Sequence, residues 1–122
     1  NTVVSQLNRR EILEGFMKSA GVCCWKVMKM IHVAGENDGA KHLVSTDEQY
    51  QQFCSRNSTC LQPIFEDEEI MRNSYIMISP DGRFFDSSQG GYFTSSPILE
   101  TGIKGAFRGI HFDLDAFLKK AR

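Results

Sequence analysis

An apolar, β-branched run over residues 22–33, reached from a short strand through one amphipathic helix, constrains this chain most. Residues 1–7 read as the end of a strand. Asn8 is placed to cap a helix from Arg9 to about Ser19, on which Ile12, Leu13, Phe16 and Met17 share a face at helical spacing. Gly21 ends that helix, and the run 22–33 follows as a buried strand. Strand, helix and strand in so short a span is the order of a parallel sheet with helices packed on it. The predicted class is α/β.

That strand carries charge where charge is costly. Alternation puts Cys24, Lys26, Met28 and Met30 on one face and Trp25, Val27 and Lys29 on the other. An ammonium on an apolar strand must be paired or must meet a ligand. Lys26 therefore reads as a structural lysine whose apolar stem carries its charge to water, or as a ligand contact at the lumen of a parallel barrel. The loop Gly35-Glu36-Asn37-Asp38-Gly39 comes next. It is an ordinary turn or a cradle of backbone N–H groups, and it has neither the Walker nor the Rossmann glycine spacing.

Downstream, Thr46 with Gln49 forms a capping box for a helix whose inward stripe is Tyr50, Phe53 and Cys54. Residues 61–65 suit a short strand, and 66–72 a short helix or a solvated loop. Residues 74–79 read as a strand carrying Tyr75, Met77 and Ser79 on one face. Ser79-Pro80-Asp81-Gly82 is a turn, and residues 83–86 return as its hairpin partner. Residues 87–96 are rich in serine and glycine and read as a loop. Pro97 opens a helix with Ile98, Leu99, Ile103, Ala106 and Phe107 along one face. Asp113 caps a last helix with the stripe Leu114, Phe117 and Leu118. Tyr75 is a core tyrosine or a donor of a hydrogen atom to a carbon radical. Lys119, Lys120 and Arg122 complement a helix dipole or meet phosphates.

The chain's 122 residues suit one domain, and its ends, in a strand and in a helix, read as cut from a longer protein. Fourteen basic against 15 acidic residues, net charge -1, argue against binding nucleic acid or membranes by bulk electrostatics. No apolar run approaches the roughly 20 residues of a membrane span. The four cysteines lack zinc-site spacing, and vicinal Cys23 and Cys24 diverge on a strand. Cys54 and Cys60 are disulfide-bonded or free, and free thiols in a reducing, intracellular compartment are the expectation. Asn57-Ser58-Thr59 matches a glycosylation sequon. His32, His42 and His111 have no metal or triad spacing, so no metal ligand is expected in this chain.

In their order, these motifs resemble the second half of the viperin-like radical S-adenosylmethionine enzymes. Asn1-Thr2-Val3-Val4 leads to Asn8, then come Trp25-Lys26-Val27 and Gly35-Glu36-Asn37. Asp47-Glu48 with Phe53 follows, then Asn73-Ser74-Tyr75-Ile76-Met77, Arg83-Phe84, Ser96-Pro97-Ile98-Leu99 with Gly102, and Phe112-Asp113 with Phe117-Leu118-Lys119-Lys120. The resemblance covers essentially the whole chain. It implies the second half of a partial (β/α) TIM-type barrel over residues 1–72, with a C-terminal hairpin-and-helix extension over 73–122.

The resemblance further implies a nucleotide-binding lyase of antiviral defence. In that family a 4Fe–4S cluster, held by a Cys-x3-Cys-x2-Cys loop, cleaves S-adenosylmethionine. The radical formed takes a ribose hydrogen from CTP or another nucleoside triphosphate, and loss of water gives a 3′-deoxy-3′,4′-didehydro nucleotide. Asn1, Lys26 and Lys120 fall on nucleotide-contacting positions, and Tyr75 on the tyrosine that returns a hydrogen atom to the product radical. None of the four cysteines lies in the cluster motif. This chain alone is therefore expected to hold neither cluster nor S-adenosylmethionine and to be inactive. It is expected to pair with the remainder of the barrel or with a second copy. Membrane association, if any, would come from a segment upstream. Cys24 stands where animal members carry an arginine, which removes one phosphate contact. An alternative is a catalytically silent nucleotide-binding or regulatory module of the same fold; another is an unrelated α/β domain.

Overall fold

The computed structural model describes residues 1–59 and 61–120, with only the backbone of Asn73, Lys119 and Lys120. Cys60 and Arg122 lie outside the described residues, as does the Lys120 side chain. The chain divides into two compact units: Asn1–His32 with Gly39–Glu68, and Val33–Asp38 with Glu69–Arg122.

The first unit is a three-stranded parallel sheet of β1 (Thr2–Val4), β2 (Lys26–Lys29) and β3 (Ile64–Glu66), in the order β1-β2-β3. Register sets Thr2 beside Val27 and Val27 beside Phe65, so these share a face. Helices α1 (Glu14–Ser19) and α2 (Asp47–Arg56) cover it. The core joins Val4, Trp25, Val27, Tyr50 and Phe53, with Leu13, Met17 and Phe65 packed around it. The Trp25 indole N–H, buried with its ring, donates to Thr2 Oγ1 at 3.0 Å. Lys29 points into the same face and pairs with Asp47 at 2.6 Å and Glu68 at 3.5 Å.

The Thr46–Gln49 capping box forms, and Tyr50, Phe53 and Cys54 face inward as the stripe predicts. The first helix differs from the prediction. Asn8 turns back on β1, accepting from the Ser5 N–H at 2.8 Å and donating to the Val3 carbonyl at 2.9 Å. The helix starts only at Glu14, and its N-terminus is capped from far away: Asn57 Oδ1 accepts from the Leu13 and Glu14 N–H groups. This later start sends Leu13 and Met17 into the core and leaves Ile12 and Phe16 exposed. Asn57 also donates to the Glu11 and Phe53 carbonyls and is fully buried. The sequon amide is thus occupied inside the fold and out of reach of a glycan. The strand expected over 22–33 extends only over Lys26–Lys29, beside partners of three residues each, and Cys23 and Cys24 lie exposed before it.

The second unit is built on an antiparallel sheet, β4 (Met77–Ile78), β5 (Arg83–Asp86) and β6 (Phe93–Pro97). It also holds α4 (Ile98–Phe107) and α5 (Leu114–Lys120), and α3 (Glu68–Asn73) runs into it. The β4–β5 turn forms as read: the Gly82 N–H donates to the Ser79 carbonyl at 2.9 Å, and Gly82 takes φ 74, which favours glycine. β6 occupies part of the stretch read as a loop. Its serines are structural: Ser95 Oγ accepts from the Phe84 N–H across the sheet. The helical face expected on α4 is split because Gly102 breaks the helix at φ 70. Ala106 is buried, while Leu99 and Ile103 are exposed. Asp113 caps α5 by accepting from the Ala116 N–H at 2.9 Å.

Candidate functional site

In the first unit, the sheet face turned away from α1 and α2 carries Val3, Lys26, Met28, Ile64 and Glu66. This follows from the pairs Val3–Met28, Lys26–Ile64 and Met28–Glu66. Asn1 precedes Thr2, whose partner is Val27, so Asn1 shares this face at the level of Lys26 and is exposed. Asn1 and Lys26, two of the predicted nucleotide contacts, are therefore brought together at neighbouring register positions. Glu66, read from the sequence as the start of a short helix or solvated loop, instead ends β3 and stands beside them. Its carboxylate is wholly buried, and its Oε1 lies 2.9 Å from Lys26 Nζ, whose side chain is 26% exposed. Lys26 is thus a paired lysine even without a ligand. The only signal for Glu66 in the sequence was an acidic residue closing a short β-prone stretch.

The backbone beneath this pair is pinned from the helix side. The Tyr50 hydroxyl lies 2.9 Å from the Val27 carbonyl oxygen and 3.0 Å from that of Glu66, and donates to them. Burial pushes the Tyr50 phenol well above its ordinary range, so it remains a donor. Burial also pushes the neighbouring Cys54 thiol up to about 11, against the opposing hydrogen bond with Tyr50. Cys54 is free and half-buried. A thiol held so firmly protonated is a core group, not a ligand.

In the second unit, Tyr75 lies just before β4 and is half-buried. It lines a cavity of about 340 Å³ with Ser74, Ile76, Phe112, Leu114 and Phe117. Two of the lining rings, Phe112 and Phe117, belong to a longer aromatic chain. Phe84, Phe107, Phe112 and Phe117 follow one another at centroid distances of 5.7, 6.0 and 5.7 Å. Edge-on contacts of this kind add to area burial and fix ring orientation. Apolar side chains therefore form most of the cavity wall beside Tyr75.

The glycine loop is closed on itself. The Val33 N–H donates to Asn37 Oδ1 at 2.8 Å, the Gly35 N–H to Asp38 Oδ2 at 3.1 Å, and the Glu36 and Asn37 N–H groups to the Val33 carbonyl. The Gly35, Glu36 and Asn37 N–H groups are thus used internally, as in an ordinary turn. Among the described residues no cluster of histidine, cysteine or carboxylate side chains is arranged to hold a metal. Cys23 and Cys24 are exposed and Cys54 belongs to the core, so these thiols do not fit an iron–sulfur cluster. Among the described residues no helix is long and apolar enough to cross a membrane.

No protein-family model matches the chain. Similarity to curated proteins runs along its whole length. It is 40% identical to an S-adenosylmethionine-dependent nucleotide dehydratase of Psychrobacter lutiphocae, with 98% of the chain and 40% of the relative covered. It is 36% identical to a protein of the same name from Lacinutrix mariniflava, over 98% of the chain and 25% of the relative. A third, from Flammeovirga pacifica, is 34% identical over 98% of the chain and 42% of the relative. The chain thus spans less than half the length of these relatives. The resemblance drawn from the motifs is borne out: from end to end the chain is a homologue of the viperin-like, S-adenosylmethionine-dependent nucleotide dehydratases.

Proposed function

We propose that this chain is the substrate-holding part of a viperin-like nucleotide dehydratase. The complete enzyme converts CTP, or another nucleoside triphosphate, to its 3′-deoxy-3′,4′-didehydro form by radical chemistry in antiviral defence. The observation that carries this reading is similarity over 98% of the chain to proteins named S-adenosylmethionine-dependent nucleotide dehydratase. The four cysteines, at positions 23, 24, 54 and 60, lack the Cys-x3-Cys-x2-Cys spacing, so in this reading the cluster and the S-adenosylmethionine it cleaves would be held by a segment outside this chain. The parallel sheet is then the second half of a partial barrel whose other strands come from that segment or from a second copy.

Within this reading the chain's own residues have distinct tasks. Lys26 donates charge-assisted hydrogen bonds to the nucleotide from the sheet face opposite α1 and α2. Asn1, at the same level, offers an amide that both donates and accepts. Lys120, in the last turn of α5, adds positive charge for the phosphates. Tyr75 gives its hydroxyl hydrogen atom to the nucleotide radical after water has left.

The complete gene product, purified without oxygen, tests the reading directly. It is supplied with a one-electron reductant, S-adenosylmethionine and each of the four ribonucleoside triphosphates in turn. The expected result is one nucleotide converted to a product lighter by the mass of one water. Cleavage of S-adenosylmethionine with no such product from any nucleotide would refute the reading.

A further inference from the structure

Free cysteines are among the most buried residues of folded proteins. Cys54 follows that rule, but Cys23 and Cys24 are both free and both exposed, side by side in sequence. Neither belongs to the core. The backbone is fixed on either side of them. Before the pair, the Val22 N–H donates to the Met17 carbonyl at 3.2 Å. After it, the Trp25 carbonyl accepts from the Ile64 N–H at 2.9 Å, and the buried indole is held by Thr2. Trp25 faces the core with Val27, so alternation sets Cys24 on the opposite face, the one that carries Lys26 and Asn1. Two thiols are thus presented at a fixed place on the rim of the candidate site.

We propose that Cys24 is a thiol-exchange site, where a low-molecular-weight disulfide of the glutathione class leaves a mixed disulfide that closes the Lys26 face to the nucleotide. In this step the Cys24 thiolate attacks one sulfur of glutathione disulfide. The bond between Cys24 and that sulfur forms, the glutathione S–S bond breaks, and the other glutathione leaves as its thiolate. Cys24 is oxidised, the departing glutathione is reduced, and the proton of the Cys24 thiol ends on the departing thiol. Excess free thiol runs the exchange backwards, so the block is reversible. Cys23 does not pre-empt it. Neighbouring Cα atoms lie about 3.8 Å apart, short of the usual disulfide span of about 4.4–6.8 Å, so a Cys23–Cys24 bond is strained and readily reduced. Bound glutathione carries two carboxylates against one ammonium, so it brings negative charge as well as bulk to a face proposed to meet a triphosphate. That consequence rests on the proposed role of Lys26 as a nucleotide contact; the exchange itself does not.

The complete protein, purified without oxygen, is incubated with glutathione disulfide, and the adduct is mapped by peptide mass spectrometry. Cys23→Ser and Cys24→Ser are treated alike; both positions are exposed, so both variants should fold. Affinities for CTP, UTP, GTP and ATP, and separately for S-adenosylmethionine, are read by calorimetry before treatment, after it, and after addition of dithiothreitol. The proposal predicts glutathione on Cys24 in the native protein and in Cys23→Ser. In those two proteins affinity for the preferred triphosphate falls about tenfold or more, as like charge at a binding face requires, and dithiothreitol restores it. Cys24→Ser loses no affinity, and affinity for S-adenosylmethionine stays unchanged throughout. Absence of an adduct on Cys24 overturns the proposal. An adduct on Cys24 with native triphosphate affinity overturns the block. An equal loss in treated Cys24→Ser assigns the effect to other thiols and overturns it too. An untreated protein that binds no triphosphate refutes the proposed function, and the mapped adduct alone then decides the exchange site.

Discussion

Asp86 shows how a single buried carboxylate stays charged in this protein. Burial works to raise its pKa, yet the net shift is downward. The Ser88 hydroxyl at 2.6 Å, the His111 N–H at 2.9 Å and the Ser88 N–H at 3.0 Å donate to it and favour the ionised form. These bonds tie the end of β5 to the segment between α4 and α5. A carboxyl whose pKa is lower folded than unfolded stabilises the fold above its unfolded value, near 3.9, and that contribution is lost as pH falls through the lower folded value. Urea unfolding of the chain at about pH 6 and about pH 3 should therefore show a smaller acid loss in Asp86→Asn than in the native chain. At the higher pH the variant should be less stable by about 1–3 kcal/mol, the weight of hydrogen bonds to a charged group. An identical acid loss in both proteins would show that Asp86 is not held in its charged form by these donors.

At the scale of elements, the helix ends show what sequence can and cannot reveal. The cap of α2 is local, with Thr46 and Gln49 three residues apart, and it was legible at once. The cap of α1 comes from Asn57, whose partners are Leu13 and Glu14 far away in sequence, and no local pattern announces it. Asn8 looked like the capping residue because its type is right, but its amide is spent on Ser5 and Val3. The same division holds elsewhere. The Ser79–Gly82 turn is governed by its own residues and formed as read. β6 is stabilised by pairing with β5, so a serine-rich stretch became a strand against its local appearance. The two caps are also unequal energetically. Thr46→Ala should cost about 1 kcal/mol, typical of an N-cap. Asn57→Ala should cost at least twice that, since four backbone groups, two of them in buried hydrogen bonds, lose their partner at once. Equal shifts in the thermal midpoint for the two variants would contradict this account of α1.

At the scale of the whole molecule, the site was legible in parts. Alternation along β2 placed Lys26 on its face, and extending the register by one residue beyond Thr2 sets Asn1 at its level. Glu66 was not legible, because its pairing with Lys26 depends on which strand lies beside β2, a tertiary fact. The order of short motifs identified the relatives, since none of those motifs is specific by itself. The central claim is that this chain supplies the substrate side of a dehydratase, with Tyr75 as the hydrogen-atom donor. Tyr75→Phe in the complete protein tests it most directly, because it keeps the ring against Phe112 and Phe117 and removes only the O–H. The fold should survive, with a stability change of about 0.5–1.5 kcal/mol for one hydrogen bond. Both products are measured in one anaerobic reaction. The account predicts that 5′-deoxyadenosine still forms while the dehydrated nucleotide is lost; native yields of both would contradict it.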